Sequence, residues 1–184
     1  MKLIDNVWHL IKPEWLEYFK TTPALQFPRD LNLPSNIGDI VGDTLLGDTS
    51  WELNQDEVKW YSSKSYDPQG INMEGFDNHN CPFNIAETIN FGRPKNAGWW
   101  IVRQHPGQFM PWHRDLTRAD DGCYTYWIPL NDWEPGHIFV YADRTISHYK
   151  AGDVFQFDDT YEWHTGCNIG YSTRTVLQIR TYDQ

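Results

Sequence analysis

The sequence predicts a mainly β protein, with two antiparallel sheets packed as a jelly roll and helices in its N-terminal half. The second half of the chain consists of short runs rich in aromatic and β-branched residues, such as "GWWIVRQH", "CYTYWIPL" and "TRTVLQIRTY". Turn signals, among them "HPG", "EPG" and "AGD", separate these runs. Seven or eight strands in about 85 residues are typical of a β-sandwich or barrel, of which we expect the jelly-roll form.

Two short helices are predicted in the first half. "KPEWLEYFKTT" has Pro13 near the start of a helical pattern, with apolar residues on one face after it. "CPFNIAETINFG" predicts a second helix from about Pro82 to Asn90, with Gly92 just beyond it. We expect both helices to brace one of the sheets.

The stretch between these helices is rich in loop-forming residues. Residues 21–80 are punctuated by Pro, Gly, Asn and Asp, and "SSKSYDPQGINMEGFDNHNCP" is a candidate lid or rim. No repeat or linker divides the sequence. We therefore expect one domain over residues 1–184, in which 1–97 provides helices and loops that brace a jelly-roll core formed by 98–184.

The composition argues against several functional classes. The formal charge is −10, from 15 basic and 25 acidic residues, so the chain lacks the basic surface that nucleic acid needs. No apolar run is long enough to span a membrane, and the N-terminus has no signal-peptide pattern. Cys81, Cys123 and Cys167 form no CxxC pair, which favours reduced thiols. We expect a cytoplasmic protein with no membrane or nucleic-acid partner.

The segment "PWHRDL" carries the first candidate metal ligands, His113 and Asp115. Residues two apart in a strand lie on the same face, so both side chains could point into the mouth of a barrel. An HxD pattern also occurs often by chance. This segment alone therefore does not distinguish a metal site from an ordinary strand end.

A second segment makes the metal interpretation much stronger. His164 follows His113 by 51 residues, and Arg174 follows His164 by ten on a returning strand. Two imidazoles and one carboxylate form the facial triad of non-haem Fe(II) sites, which leaves three coordination positions open. An arginine beside the second histidine could bind the far carboxylate of a bidentate oxo-acid through its two-pronged guanidinium.

This order of residues resembles the 2-oxoglutarate- and Fe(II)-dependent dioxygenases. "RQHPGQFMPWHRD" and "GDVFQFDDTYEWH" look most like the aspartyl/asparaginyl β-hydroxylase-like group, which includes free-proline hydroxylases, and the likeness covers about residues 99–182. The resemblance implies a double-stranded β-helix in which His113, Asp115 and His164 hold catalytic Fe(II). It also implies that Arg174 binds 2-oxoglutarate and that O2 is consumed to hydroxylate an unactivated C–H, with release of succinate and CO2.

The sequence also departs from that group. Before the "PL" of "YTYWIPL", relatives often carry an Arg and a His that contact the co-substrate or the substrate carboxylate, and here Thr125 and Trp127 occupy those positions. We expect Thr125 and Arg180 to be further co-substrate contacts. Arg103, Trp112 and Trp127 are candidate substrate contacts. The expected substrate is of the amino-acid type, such as Pro, Asp or Asn, either as a small molecule or within a peptide or protein.

Two other functions remain open at this point. Arg180 follows Arg174 by six residues, a pattern also found in AlkB-type nucleobase demethylases, although the acidic charge disfavours a nucleic-acid substrate. A non-catalytic, cupin-like binding protein would share the strand pattern. The remaining strand-region histidines, His137 and His148, together with His105, are expected to be hydrogen-bonded structural or surface residues.

Overall fold

The computed structural model describes residues 1–27, 73–77, 80–93, 97–113, 122–157 and 162–182. These residues form eleven strands, one α-helix and two short 3-10 helices. Their bounds in chain order are β1 Lys2–Asn6, a 3-10 helix Trp8–Leu10, α1 Pro13–Thr21, β2 Leu25–Phe27, β3 Met73–Asp77, a 3-10 helix Ile85–Glu87, β4 Ala97–Gln104, β5 Phe109–His113, β6 Cys123–Pro129, β7 His137–Tyr141, β8 Arg144–Ile146, β9 Asp153–Gln156, β10 His164–Asn168 and β11 Arg174–Tyr182.

Strands β4 to β11 form a jelly roll. In the described part of the chain, the larger sheet has the order β1-β9-β6-β11-β4-β3-β2 and the smaller sheet the order β5-β10-β7-β8. Each sheet thus takes four of the eight strands from β4 to β11, and every pairing is antiparallel. The predicted fold class, a mainly β double-stranded β-helix, is confirmed.

The N-terminal half differs from its prediction in two respects. Helix α1 is present and starts at Pro13, as expected, but the predicted helix 82–90 is only the 3-10 helix Ile85–Glu87. Its N-cap, Asn84, donates a side-chain hydrogen bond to Glu87 Oε1 at 3.2 Å but makes none to a backbone N–H, so the first turn lacks the side-chain cap that would favour a longer helix. In addition, β1, β2 and β3 extend the larger sheet, so this half provides strands as well as bracing elements.

Two apolar clusters lie on opposite faces of the larger sheet. The outer core lies between this sheet and α1, and consists of Val7, Ile11, Trp15, Phe19, Phe76, Ile85, Ala86, Ile89, Trp99, Ile101, Tyr126, Ile128, Leu130, Val154, Leu177 and Ile179. The inner core consists of Met1, Trp127, Phe139, Tyr141, Tyr149, Phe155, Phe157 and Val176. Because strand residues alternate between faces, β11 contributes to both clusters.

None of the helices in the described ranges has the length and apolar character needed to cross a bilayer. The first half of the candidate lid, residues 62–72, lies outside the described residues, as do residues 78–79, and its middle forms β3.

Candidate functional site

Arg174 begins β11 on the inner face of the larger sheet and is only 4% exposed. It pairs in the β4–β11 ladder with Gln104, which is buried as well. The Arg174 Nη1 group donates a hydrogen bond to Gln104 Oε1, and Gln104 Nε2 donates to the Gly166 carbonyl at 2.9 Å. Gln104 therefore joins Arg174 to β10 of the opposite sheet, through an amide that carries no negative charge.

The guanidinium of Arg174 is buried without an anionic partner among the described residues. Its Nε and Nη2 groups have no hydrogen-bond acceptor, and its Cζ atom lies 5.3 Å from the Trp127 ring centroid and 5.7 Å from that of Phe139. Burial lowers the pKa of Arg174, and attraction to Tyr149 partly opposes this effect. Burying a cation costs several kcal/mol unless an anion is paired with it, so this environment favours the binding of an anion.

Tyr149 faces the same guanidinium. Its buried hydroxyl makes no hydrogen bond of normal geometry with any described residue, and burial raises the pKa of the phenol while the charge of Arg174 and a hydrogen-bonding contact with it lower the pKa in part. A protonated phenol can donate one hydrogen bond. Tyr149 thus adds a third buried donor beside the two of Arg174.

Gly166 gives Arg174 the space it occupies. A Cβ atom at this glycine would lie 2.9 Å from Arg174 Nη1, too close for any unadjusted contact. Gly166 follows His164 by two residues in β10, so the two positions share a face and lie about 7 Å apart along the strand. The guanidinium therefore packs on β10 next to His164.

His164 is buried at the start of β10. Its Nδ1 lies 2.9 Å from the Glu162 carbonyl, which can only accept, so Nδ1 donates this hydrogen bond, and in the neutral form of the imidazole the lone pair is on Nε2. The rings of Phe157 and Phe139 lie 5.3 and 6.1 Å from the imidazole centroid. Metal-bound histidines commonly donate their second nitrogen to a carbonyl in this way.

The backbone brings His113 opposite His164. The β5–β10 register pairs these two residues directly, and directly opposed positions of an antiparallel pair share a face. The next pair is Gly166 with Met110, so β5 contains one extra residue between Met110 and His113. A bulge of this kind changes the direction in which a strand end points. Asp115, the third predicted ligand, lies outside the described residues.

Arg180 and Thr125 lie on the inner face, further along the same ladder. They form a register pair between β11 and β6, and Arg180 Nε donates to Thr125 Oγ1 at 3.4 Å. The Arg180 Cζ atom also lies 5.1 Å from the Trp100 ring centroid. The structure therefore places both predicted co-substrate residues on the face of Arg174, with Arg180 six residues along the strand from it.

The three candidate substrate residues are in different places. Trp127 is buried in the inner core and stacks on Phe139, with 4.7 Å between centroids, so it forms a wall beside Arg174. Arg103 faces the other way, donating to the Phe19 carbonyl of α1, and the structure does not bring it together with Arg174. Trp112 lies in β5, and its side chain is outside the described part of the structure.

Of the other histidines, His137 is buried and lies 3.2 Å from the Ser172 carbonyl through Nε2, which agrees with its expected structural role. His148 lies in a turn with a φ of 58°, rather than in a strand. His105 is exposed at the turn after β4.

Sequence reasoning missed Gln104, Tyr149 and Gly166. Gln104 immediately precedes the "HPG" turn, so its pairing with Arg174 could have been anticipated from the alternation of β4 once the strand order was known. Tyr149 lies three residues after β8 ends at Ile146, so no strand alternation predicts which way its side chain points. Nothing in the local pattern singles out Gly166, because its role comes from a side chain in another strand.

Solved structures that are similar to part of this chain include cupin and double-stranded β-helix proteins. A predicted oxalate decarboxylase from Thermotoga maritima is 18% identical, with a TM-score of 0.42 over 61% of this chain and 82% of its own. A cupin 2 conserved barrel domain protein from Salinispora arenicola is 15% identical, with a TM-score of 0.39 over 60% of this chain and 76% of its own. A sugar phosphate isomerase of the cupin superfamily from Silicibacter pomeroyi is 12% identical, with a TM-score of 0.41 over 60% of each chain.

No protein-family model and no curated protein matches the sequence.

Proposed function

We propose that this protein is a 2-oxoglutarate- and Fe(II)-dependent dioxygenase that hydroxylates an unactivated C–H of an amino-acid-type substrate. The observation that carries the proposal is the buried guanidinium of Arg174, which has two N–H groups without an acceptor and lies on β10 beside His164. A dicarboxylic oxo-acid fits both the free N–H groups of Arg174 and the position of Arg174 beside His164. One of its carboxylates would pair with the arginine while the oxo-acid end would reach the metal.

The residues present fit an iron site as far as the structure describes them. His164 offers Nε2 in the tautomer that a metal requires, and His113 occupies the register position directly opposite. With Asp115 two residues after His113, the donors would be two imidazoles and one carboxylate, a set suited to Fe(II) with open positions. When bound, Fe(II) supplies the dioxygen chemistry of the reaction.

The remaining residues would bind and orient the co-substrate. Arg174 would receive the distal carboxylate on its two N–H groups, with the Tyr149 hydroxyl as a third donor. Gln104 would hold the guanidinium in place by accepting a hydrogen bond from Arg174 Nη1. The surrounding aromatic rings exclude water, which strengthens each of these charge-assisted contacts.

The amino-acid-type substrate rests on the resemblance of "HPGQFMPWHRD" to hydroxylases of that class. Thr125 and Arg180 form the register pair on the inner face beyond Trp127 and its partner Gln178. Six strand residues place Arg180 about 20 Å from Arg174, farther than 2-oxoglutarate reaches, so we assign Thr125 and Arg180 to the substrate side.

The direct test is anaerobic binding of 2-oxoglutarate to the full chain with Mn(II) in place of Fe(II), followed by turnover with Fe(II), ascorbate and O2. We expect binding, succinate formation and a gain of one oxygen atom in a candidate amino acid or peptide, detected by mass spectrometry. Binding without succinate from any substrate would instead indicate a cupin-like binding protein. Failure of 2-oxoglutarate to bind with or without metal would reject the proposal.

A further inference from the structure

Gln104 determines which edge of the Arg174 guanidinium faces a ligand. Arg174 Nη1 donates to Gln104 Oε1, so this nitrogen is engaged by a contact within the fold. The groups without an acceptor among the described residues are Nε and Nη2, which lie side by side on one edge of the planar guanidinium. Two parallel N–H groups match the two oxygens of a single carboxylate. The Nε–Nη2 edge therefore fits one carboxylate that binds through both of its oxygens.

An amide satisfies both contacts of residue 104, whereas a carboxylate does not. Gln104 Oε1 accepts from Arg174, and Gln104 Nε2 donates to the Gly166 carbonyl at 2.9 Å. An arginine N–H cannot accept and a carbonyl cannot donate, so these two partners fix the orientation of the amide. A carboxylate at this position would place an oxygen against the Gly166 carbonyl. The contacts of position 104 thus require a neutral side chain that both donates and accepts.

The neutrality of Gln104 keeps the positive charge of Arg174 available to a ligand. A buried arginine is normally paired with an acidic residue of the same protein. Gln104 accepts from Arg174 without neutralising it, and burial raises the pKa of Tyr149, which keeps this neighbouring phenol protonated near neutral pH. One carboxylate balances the single charge of Arg174, whereas a phosphate group carries close to two negative charges. The balance of charge favours a carboxylate over a phosphate.

The packing around Arg174 restricts the orientation of its guanidinium. A Cβ atom added to Gly166 would lie 2.9 Å from Nη1, 3.4 Å from Nη2 and 3.5 Å from Cζ, so the group lies directly against β10. The ring centroids of Trp127 and Phe139 lie 5.3 and 5.7 Å from Cζ. Together with the hydrogen bond to Gln104, these contacts oppose rotation of the guanidinium. A donor edge that is held in this way binds its anion with little further loss of conformational entropy.

We propose that Gln104 is the specificity-determining residue of the Arg174 site, and that it restricts the site to ligands that present a carboxylate. It occupies Nη1, which directs the Nε–Nη2 edge at the ligand, and it adds no negative charge that would compete with the ligand. Gln104 acts through Arg174 and is a positioning residue. This inference rests on the proposed function in that the ligand anion enters the Arg174 site, but it requires neither metal nor dioxygen.

The test is calorimetric titration of the full chain, without metal, with glutarate, 2-oxoglutarate and inorganic phosphate. Glutarate has the two carboxylates of 2-oxoglutarate but lacks the oxo group, so its binding reports carboxylate recognition apart from chelation of a metal. We expect the wild type to bind glutarate with a dissociation constant of about 1 mM or below, and phosphate at least about tenfold more weakly. Phosphate binding as tight as that of glutarate would overturn the carboxylate specificity.

Two substitutions of Gln104 separate the effect of charge from that of packing. Gln104→Glu keeps the shape of the side chain and places a negative charge on Arg174, and is expected to weaken glutarate binding about a hundredfold. Gln104→Met has a similar length and no charge, and is expected to weaken it about tenfold because the guanidinium loses its hydrogen-bonded support. A merely structural role predicts the reverse order, since methionine loses both hydrogen bonds of Gln104 and glutamate keeps the one to Arg174.

Gln156→Glu is the matched control for the added charge. Gln156 follows Phe155 of the inner core in β9, so its side chain points to the opposite face, and we expect unchanged affinity for glutarate. The proposal is overturned if Gln104→Glu binds glutarate like the wild type, or if Gln104→Met or Gln156→Glu weakens binding as much as Gln104→Glu does. If Gln104→Glu does not fold, as judged by thermal unfolding, wild-type affinity in Gln104→Met overturns the proposal.

The same measurements distinguish this proposal from the proposed function. The expected order of affinities without succinate formation in the iron-loaded wild type would reject the dioxygenase and leave the role of Gln104 intact. Succinate formation together with equal binding of 2-oxoglutarate to the wild type and Gln104→Glu would reject the role of Gln104 alone. Absence of both glutarate and 2-oxoglutarate binding to the wild type would reject both.

Discussion

The two faces of the larger sheet bury different kinds of side chain, apolar on the outer face and partly polar on the inner face. On β11, Leu177 and Ile179 point to the outer core, where neighbouring strands and α1 supply further apolar side chains. On the inner face, Arg174 is buried next to Gln104, and His164 faces them from the opposite sheet. Both faces exclude water, and the inner one buries a guanidinium, that of Arg174, whose Nε and Nη2 groups have no acceptor among the described residues.

We infer from this difference that the outer face mainly stabilises the fold, whereas the inner face mainly binds ligand. Burial of apolar surface in the outer core stabilises the folded protein, and a buried cation would not add to that stabilisation. The inner face accepts the desolvation cost of a guanidinium, which reduces the free energy of unfolding unless an anion binds. The desolvation cost of the Arg174 guanidinium is explained if the anion that pairs with it is the ligand of the site.

Replacing Arg174 tests this comparison with the largest expected effect. Arg174→Met is expected to lower kcat/KM for 2-oxoglutarate about a thousandfold, a loss of about 4 kcal/mol, since both charge-assisted contacts disappear. The melting temperature should stay the same or rise, because an apolar side chain of similar length replaces an unpaired buried charge. Succinate formation and thermal unfolding measure the two effects.

Arg144→Met is the charge-matched control, since Arg144 is exposed in β8. We expect it to alter neither quantity appreciably. If Arg174→Met instead unfolds the protein and leaves 2-oxoglutarate binding to the remaining folded fraction intact, Arg174 has a structural role and the comparison fails.

The outer face is expected to show the opposite pattern. Leu177 is fully buried in the outer core, and Leu177→Ala should lower the free energy of unfolding by about 3 kcal/mol through lost burial and a residual cavity. Below the melting transition, affinity for 2-oxoglutarate should remain within about twofold of the wild-type value. Urea unfolding and equilibrium binding check these values, and a large loss of affinity in the folded variant would show that the two faces are energetically coupled.

Sequence patterns predicted the strands β4 and β11, whose residues alternate between the two faces of the larger sheet, but they missed part of the site. β11 and β4 were predicted because β-branched and aromatic residues dominate them. The sequence of β10, "HTGCN", contains a glycine and an asparagine and only one β-branched residue, so its composition does not predict a strand. The predicted arginine, Arg174, lies in a binding environment, but the roles of Gln104 and Tyr149 depend on strand order and register, which local patterns do not contain.

A smaller effect is expected from the glycine beneath the guanidinium. Gly166→Ala adds a Cβ within 2.9 Å of Arg174 Nη1, so the guanidinium must shift, and we expect about tenfold weaker 2-oxoglutarate binding, or 1.4 kcal/mol. Gly98→Ala in β4 is the control, since its Cβ would meet no atom within 4 Å. Calorimetric titration of both variants measures the difference. Equal affinities would mean that Arg174 can move without loss, contrary to its proposed fixed position.

The smallest predicted effect concerns His137, which supports the start of β11 through Ser172. Burial lowers the pKa of His137 and repulsion from Arg174 adds to this, whereas the Ser172 carbonyl and Glu134 raise it in part. As the pH falls below about 6.5, the unfolded chain binds a proton that the native state does not, so the free energy of unfolding decreases with falling pH. Above that pH, His137 makes no contribution to the pH dependence.

His137→Gln removes the titrating group but keeps an amide that can donate to the Ser172 carbonyl. We expect the decrease in unfolding free energy between about pH 6.5 and 5 to become shallower than in the wild type, by up to about 1 kcal/mol over this range. Urea unfolding at several pH values measures it, with His9→Gln at an exposed position controlling for the loss of one imidazole. An unchanged slope in His137→Gln would show that the buried imidazole is not neutral in the native state, and that the polar support of the inner face differs from the arrangement around Ser172.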